Sequence, residues 1–157
     1  QMLVPDYAFD SVLSINTDLF NGKELLIFDI DNTLFYPEST MIKPEILQWF
    51  KDIQKRHLCI CFSNSHTIKK RKEIIVSLLG CEIFTSMYKK PSKKLFQEIV
   101  QKYKVTPNNV VVIGDMRFID VLFGKRNKAL TILVRPMSRK ELFSLRVMRM
   151  VESFLFR

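Results

Sequence analysis

No apolar run in this 157-residue chain approaches the roughly 20 residues a helix needs to cross a bilayer. No signal peptide is visible either, and a chain that opens on Gln1 rather than Met leaves room for residues upstream. Cysteine is scarce. Cys59, Cys61 and Cys81 are odd in number and share no metal-type spacing with the two histidines, His57 and His66. A disulfide framework is therefore excluded, and free thiols in a reducing compartment are expected. The histidines are expected to serve local packing or solvation. Internal repeats, low-complexity segments and linkers are all missing, so residues 1–157 read as one domain. No nucleic-acid motif or aromatic platform stands out, so no specific nucleic-acid partner is expected.

What is present is an ordinary globular composition, 47% hydrophobic and 26% charged, carrying an unusual net charge of +9. Such a balance points to an anionic partner: a membrane surface, a phosphorylated substrate or nucleic acid. A solvated basic surface is the plainer alternative.

Apolar runs alternate with helical patterns. Strands are expected at 23–30 ("KELLIFDI"), 57–63 ("HLCICFS"), 82–86 ("EIFTS"), 109–115 ("NVVVIGD") and 129–135 ("ALTILVR"). Between them, helices are expected at 43–56 with Pro44 in the first turn, at 67–80 closed by Gly80, at 91–104 opened by Pro91, and briefly at 116–127. A last helix is expected from Ser138 onward, and the first twenty-odd residues are expected to pack as short helices. This alternation implies an α/β fold with a doubly wound, mostly parallel sheet, whose site lies beyond the carboxyl ends of the strands.

The residues at those ends carry the chemistry. Asp29, Asp31 and Thr33 follow the first strand, Ser63 and Asn64 the second, and Lys90 precedes Pro91. Gly114, Asp115 and then Asp120 follow "VVVI". Carboxylates separated by one residue on a strand share a side, and burying them requires compensating charge. Asp29 and Asp115 can share a divalent cation, and few carboxylate ligands suit Mg²⁺ beside a phosphate. A phosphoryl group would meet the metal, Lys90, the Ser63 hydroxyl and nearby backbone N–H groups. Lys89 is the rival of Lys90 for that part. Asp120 reads equally as a partner of Lys90, of a metal-bound water, or as a helix carboxylate. Ser63 and Asn64 also suit a helix cap, and the run Lys69, Lys70, Arg71, Lys72 reads as a solvated helix face. With Lys125, Arg126 and Lys128 that run offers a platform for anionic surfaces.

"DIDNTL", "SN", "KKP" and "GDMRFID", in this order across 29–120, resemble the four motifs of the haloacid dehalogenase (HAD) superfamily of phosphotransferases. An acid at the position of Asp31 marks its phosphatase-type members. "LVPDYAFDSVLSI" and "GDMRFIDVLFGKRNKALTILVRP" are similar to one branch, the phosphatidylglycerophosphate phosphatases of bacteria and mitochondria. That branch usually has Gly-Gly-Asn-Arg where this chain has Phe123-Gly124-Lys125-Arg126, and glycine where it has Lys128.

The resemblance implies a Mg²⁺-dependent phosphatase working through an aspartyl-phosphate. In it Asp29 is the nucleophile and Asp31 the general acid and base. Mg²⁺ is held by Asp29, Asp115 and the Asp31 backbone carbonyl, and Ser63, Asn64 and Lys90 surround the phosphate. The implied substrate is phosphatidylglycerophosphate at an anionic membrane. The implied location is peripheral, on the cytoplasmic side of a bacterial membrane or the matrix side of the mitochondrial inner membrane. The intervals between Asp31 and Ser63 and between Asn64 and Lys90 are filled by single elements. No cap domain fits, and only a small flap near Phe35–Thr40 is expected over the site.

Two other readings stand beside this one: a phosphatase of phosphoproteins or of a soluble metabolite, and a basic binding module with a vestigial site. The expected helix over 138–157 places Arg139, Arg146, Arg149, Ser153 and Arg157 on one strip, beside Phe143, Val147, Met150, Val151 and Phe154. Such a face suits a membrane interface.

Overall fold

The structure is a computed structural model that describes residues 1–137 together with Val151 and Phe154. The expected helix over 138–157 otherwise lies outside the described residues. Six parallel strands form one sheet: β1 (Tyr7–Phe9), β2 (Leu25–Phe28), β3 (Cys59–Cys61), β4 (Glu82–Ile83), β5 (Val110–Gly114) and β6 (Leu130–Val134). Their order is β1-β6-β5-β2-β3-β4, with α1 (Pro44–Gln54), α2 (Ile68–Leu79), α3 (Lys93–Tyr103) and α4 (Leu122–Arg126) in the connections.

Both faces of the sheet are covered, which is why β2 and β5 are apolar at every position. Leu26 and Phe28 join Val111, Ile113 and Ile132 in one core with Phe50 of α1 and Ile75 of α2. Leu25 and Ile27 face the other way, with Val110, Val112, Leu95 and Phe96 of α3 and Phe123 of α4. Aromatic edges lock each layer: Phe28 meets Phe50 and Trp49 at 5.1 and 5.9 Å, and Phe96 meets Phe123 at 5.6 Å.

Local signals set the helix ends. Pro44 occupies the first turn of α1. The Ser92 hydroxyl accepts from the Lys94 and Leu95 N–H groups to start α3. Gly80, at φ 69°, closes α2.

The lead-in departs from the expectation of short helices. It contains two 3₁₀ turns, Val12–Ser14 and Thr17–Phe20, but begins with β1, which pairs in parallel with β6 at the sheet edge. The Asp6 carboxylate fixes that strand by accepting from the Thr131 N–H at 2.8 Å and the Thr131 hydroxyl at 3.1 Å, and it takes Lys125 as a partner. The three cysteines are free and buried. Burial, helped by Cys81, pushes the Cys59 thiol up to about 12. His57 packs against Phe20, and Cys61 lies 3.7 Å from Cys81, sulfur to sulfur.

The chain visits β3 and β4 on one side of β2 and then β5 and β6 on the other. That reversal opens a crevice at the carboxyl ends of β2 and β5, where such sheets bind ligands. No helix among the described residues is long and apolar enough to cross a membrane.

Candidate active site

Asp29 continues β2 by one residue, and its backbone N–H still donates to Ile113 on β5 at 2.9 Å. The next turn is tight: the N–H groups of Leu34 and Phe35 both return to the Ile30 carbonyl at 3.0 Å. Asn32 takes φ 66° within it. This turn delivers Asp29 and Asp31 to the crevice and aims the Thr33 hydroxyl between Asp29 and Asp115, at 3.4 Å from each. All four side chains are buried.

After β5 the chain makes one wide turn of π type over Arg117–Val121, with the Val121 N–H reaching back to the Met116 carbonyl. The turn brings the Asp120 carboxylate under Met116 N–H at 3.1 Å and against Gly114. A Cβ at Gly114 would lie 2.2 Å from Asp120 Cγ, so that position excludes any side chain. One carboxylate oxygen each from Asp29, Asp115 and Asp120 falls within 4.8 Å of the others, all buried.

Lys90 enters from the loop before α3. Its Nζ donates to Asp120 at 2.7 Å and to Asp29 at 3.0 Å. Burial alone would pull this amine down, but the charges of Asp120 and Asp29 outweigh it and hold the ammonium above the ordinary lysine value. Lys89 does not compete: its Nζ donates to the Asn64 carbonyl at 2.9 Å. Lys90, and not Lys89, is the lysine that stands between Asp29 and Asp120.

Asn64 stands beside the lysine loop. Its side-chain amide spans the Lys90 backbone, donating to the carbonyl and accepting from the N–H at 2.9 Å each. It therefore holds the lysine loop. The Ser63 hydroxyl lies at the carboxyl end of β3 and accepts from Ser65 N–H at 3.0 Å, a turn contact; α2 starts behind Thr67, so neither Ser63 nor Asn64 caps that helix. Asp120, open in three ways from the sequence, is the partner of Lys90 and a member of the carboxylate cluster.

The Asp31 carboxylate takes a different partner from its neighbours. Arg71 forks onto it, Nη1 to Oδ1 at 2.8 Å and Nη2 to Oδ2 at 3.0 Å. The sequence reading of Lys69–Lys72 as a solvated face is corrected here, because Arg71 is 7% exposed. The missed signal was spacing: Arg71, Ile75 and Leu79 follow one another at four-residue intervals on the buried stripe of α2. The proposed joint platform also separates. Lys69 and Lys70 stand in the first turn of α2 at the catalytic edge, whereas Lys125 meets Asp6 ahead of β1 and Lys128 leads into β6 at the opposite edge.

The expected flap is a small hairpin in which Phe35 bridges Ile42 and Tyr36 N–H meets the Met41 carbonyl at 3.0 Å. Its Glu38 accepts from the Ser65 and Thr67 hydroxyls at the start of α2. No further domain interrupts 34–43 or 64–90, and this hairpin is the element inserted between β2 and α1.

A family model described as "Mitochondrial PGP phosphatase" matches residues 1–137. A relative in Bacillus subtilis named "Probable phosphatase YqeG" is 27% identical over 154 residues, 97% of this chain and 88% of that one. The Arabidopsis thaliana "Phosphatidylglycerophosphate phosphatase 1, chloroplastic/mitochondrial" is 28% identical over 170 residues; the match spans this whole chain and 48% of the plant protein. Among solved structures, one titled as a predicted HAD-like family hydrolase from Porphyromonas gingivalis superposes with a TM-score of 0.58 at 12% identity, over 82% of this chain and 98% of the other, which supports the fold. Matched over 137 of its 157 residues, the chain belongs to the mitochondrial PGP phosphatase family and is a phosphoric monoester hydrolase.

Proposed function

We propose that the protein dephosphorylates phosphatidylglycerophosphate to phosphatidylglycerol at an anionic membrane surface, through an aspartyl-phosphate on Asp29. The observation that carries the chemistry is the cluster of Asp29, Asp115 and Asp120 around one lysine. Three buried carboxylates with an oxygen each within 4.8 Å of the others fit a divalent ion, and an all-oxygen donor set suits Mg²⁺. Asp29, Asp115 and the Asp31 backbone carbonyl would hold it. When bound, Mg²⁺ would draw charge from the phosphoryl oxygens.

In the proposed reaction an Asp29 carboxylate oxygen attacks phosphorus. The bond from phosphorus to the glycerol oxygen breaks, its electron pair stays on that oxygen, and Asp31 supplies the proton. Water then attacks the same phosphorus and gives a proton to Asp31. The bond to Asp29 breaks, and inorganic phosphate leaves with Asp29 regenerated. Lys90 and the Ser63 hydroxyl neutralise phosphoryl oxygens. Asn64 keeps Lys90 in place by fixing its backbone, and Asp120 by accepting from its ammonium.

The rim of the crevice supports a membrane-borne substrate. Large apolar side chains stand exposed on loops that follow strands at this edge: Met41 in the flap, Met87 after β4 and Phe118 after β5, at 67, 84 and 62% exposure. Exposed cations share the edge at Lys43, Lys69, Lys70 and Lys93, at or near the starts of three helices. Apolar tips among basic groups fit an anionic bilayer, each cation near the surface being worth about 1 kcal/mol.

The reading is tested by phosphate release from phosphatidylglycerophosphate in vesicles, compared with glycerol 3-phosphate and a phosphopeptide, in Mg²⁺ and in EDTA. Preference for the lipid, lost in EDTA and restored by Mg²⁺ but poorly by Ca²⁺, is the expected result. Preference for either soluble ester would overturn the substrate, and full turnover after exhaustive chelation would overturn the metal.

A further inference from the structure

The geometry points to Arg71 as the positioning residue that sets the orientation of the Asp31 carboxylate, an inference that rests on the acid–base part proposed for Asp31. All three guanidinium nitrogens are engaged. Nη1 and Nη2 form the fork on Asp31, Nη1 also donates to the Ser39 carbonyl at 3.0 Å, and Nε donates to the Thr67 hydroxyl at 3.0 Å. Nη2 lies 3.6 Å from Glu38 Oε2. Arg71 is thus held by the flap and by the start of α2 while it grips the loop after β2.

A carboxylate on a short side chain has two torsions to fix. A two-pronged contact from a planar group fixes both, and a point charge does not. The Glu38 backbone N–H adds a third contact to Asp31 Oδ1 at 3.2 Å. A purely architectural part explains this arrangement poorly. Buried ion pairs bring little net stability, and an apolar pair of equal volume would serve packing as well. Here the pair lies instead on the one carboxylate assigned to proton transfer, two residues from the nucleophile. Displacement of a reacting group by about 1 Å can cost on the order of 10²-fold in rate. Glu38 has the complementary part: it lies near Arg71 and, through Ser65 and Thr67, fastens the flap to α2.

The test uses two substrates that differ in their need for a proton. The glycerol oxygen of phosphatidylglycerophosphate leaves poorly without one; the phenolate of p-nitrophenyl phosphate leaves unaided. Arg71→Lys keeps the charge and removes the fork. It is expected to keep the wild-type circular dichroism spectrum, to lower the single-turnover rate of phosphoryl transfer from the lipid to the enzyme by about 10²-fold with KM little changed, and to lower the same rate with p-nitrophenyl phosphate, read before Asp31 takes its proton from water, far less. Methylguanidine is expected to restore lipid turnover to Arg71→Ala and to leave Asp31→Asn as it was. Equal losses on both substrates, a change confined to KM, or a wild-type-like Arg71→Lys beside an impaired Asp31→Asn would each overturn the inference while leaving the proposed function standing. An unimpaired Asp31→Asn on the lipid would overturn the acid–base reading itself, and this inference with it.

Discussion

Lys90 is buried to within 3% of its surface with both of its partners at the bottom of the crevice. A lysine in that place loses its hydration, and only the charges around it make the ammonium tolerable. Replacing it with methionine keeps the length and removes the charge, leaving carboxylates crowded in a dry site. Lys90→Met is therefore expected to lower stability by about 3–5 kcal/mol, read as a shift of the urea midpoint, and to abolish turnover. An unchanged midpoint would mean that water reaches those carboxylates freely. The sign of the pH dependence follows from the same contacts. The folded-state value of Lys90 is raised, so its stabilisation is complete below the ordinary lysine value and fades only as pH climbs through the raised one. This group should contribute no slope to stability across neutral pH.

At the scale of elements, α4 ends in a turn that asks for glycine and holds lysine. The Ala129 N–H reaches the Gly124 carbonyl at 2.9 Å and the Lys128 N–H reaches Lys125 at 3.2 Å, the paired bonds of a Schellman close. Lys128 takes φ 63° there, in the left-handed region. Lys128→Gly is expected to raise stability by up to about 1 kcal/mol, the relief of left-handed strain being partly offset by the looser unfolded chain. A lowered denaturation midpoint would show that the lysine side chain has contacts worth more than the strain.

The same elements explain what could be read in advance. Strands β2, β3, β5 and β6 are short apolar runs because both faces of the sheet are covered, and Pro44 and Gly80 mark the ends of α1 and α2, whereas α3 starts at Lys93 behind a Ser92 cap rather than at Pro91. Asp29, Asp31 and Asp115 were singled out by their places just past strands, and Lys90, with Lys89 as its rival, by its place before Pro91. β1 was not, because it is three residues long, half-exposed and on an edge, so neither alternation nor a buried run marks it. Arg71 was hidden by its neighbours, since one buried cation in "KKRK" looks like the exposed ones until the stripe with Ile75 and Leu79 is drawn. The contact of Asn64 with the Lys90 backbone joins loops 26 residues apart, which no local pattern marks.

On the scale of the whole molecule, the chain carries a net charge of +9, and among the described residues exposed lysines stand at both edges of the sheet, but exposed apolar tips at Met41, Met87 and Phe118 join them at the catalytic edge. Sedimentation with anionic vesicles is expected to weaken as salt rises from low to physiological strength, where the screening length is about 8 Å. A triple change of those tips to serine should reduce binding and vesicle turnover while leaving p-nitrophenyl phosphate turnover intact. Removal of residues 150–157 measures the share of the C-terminal segment in the same assay. Binding untouched by the triple change and lost with residues 150–157 would assign the membrane contact to the C-terminal segment instead of these three tips.

The central claim is that Asp29 carries the phosphoryl group between lipid and water. It is tested most directly by rapid acid quench of turnover on phosphatidylglycerophosphate labelled in its terminal phosphate, followed by reduction and peptide mapping. The account predicts label on the peptide bearing Asp29, rising and decaying within one turnover and absent from Asp29→Asn, which should fold normally and release no phosphate. Phosphate release with no label on the protein at any quench time, or label on any other residue, would contradict it.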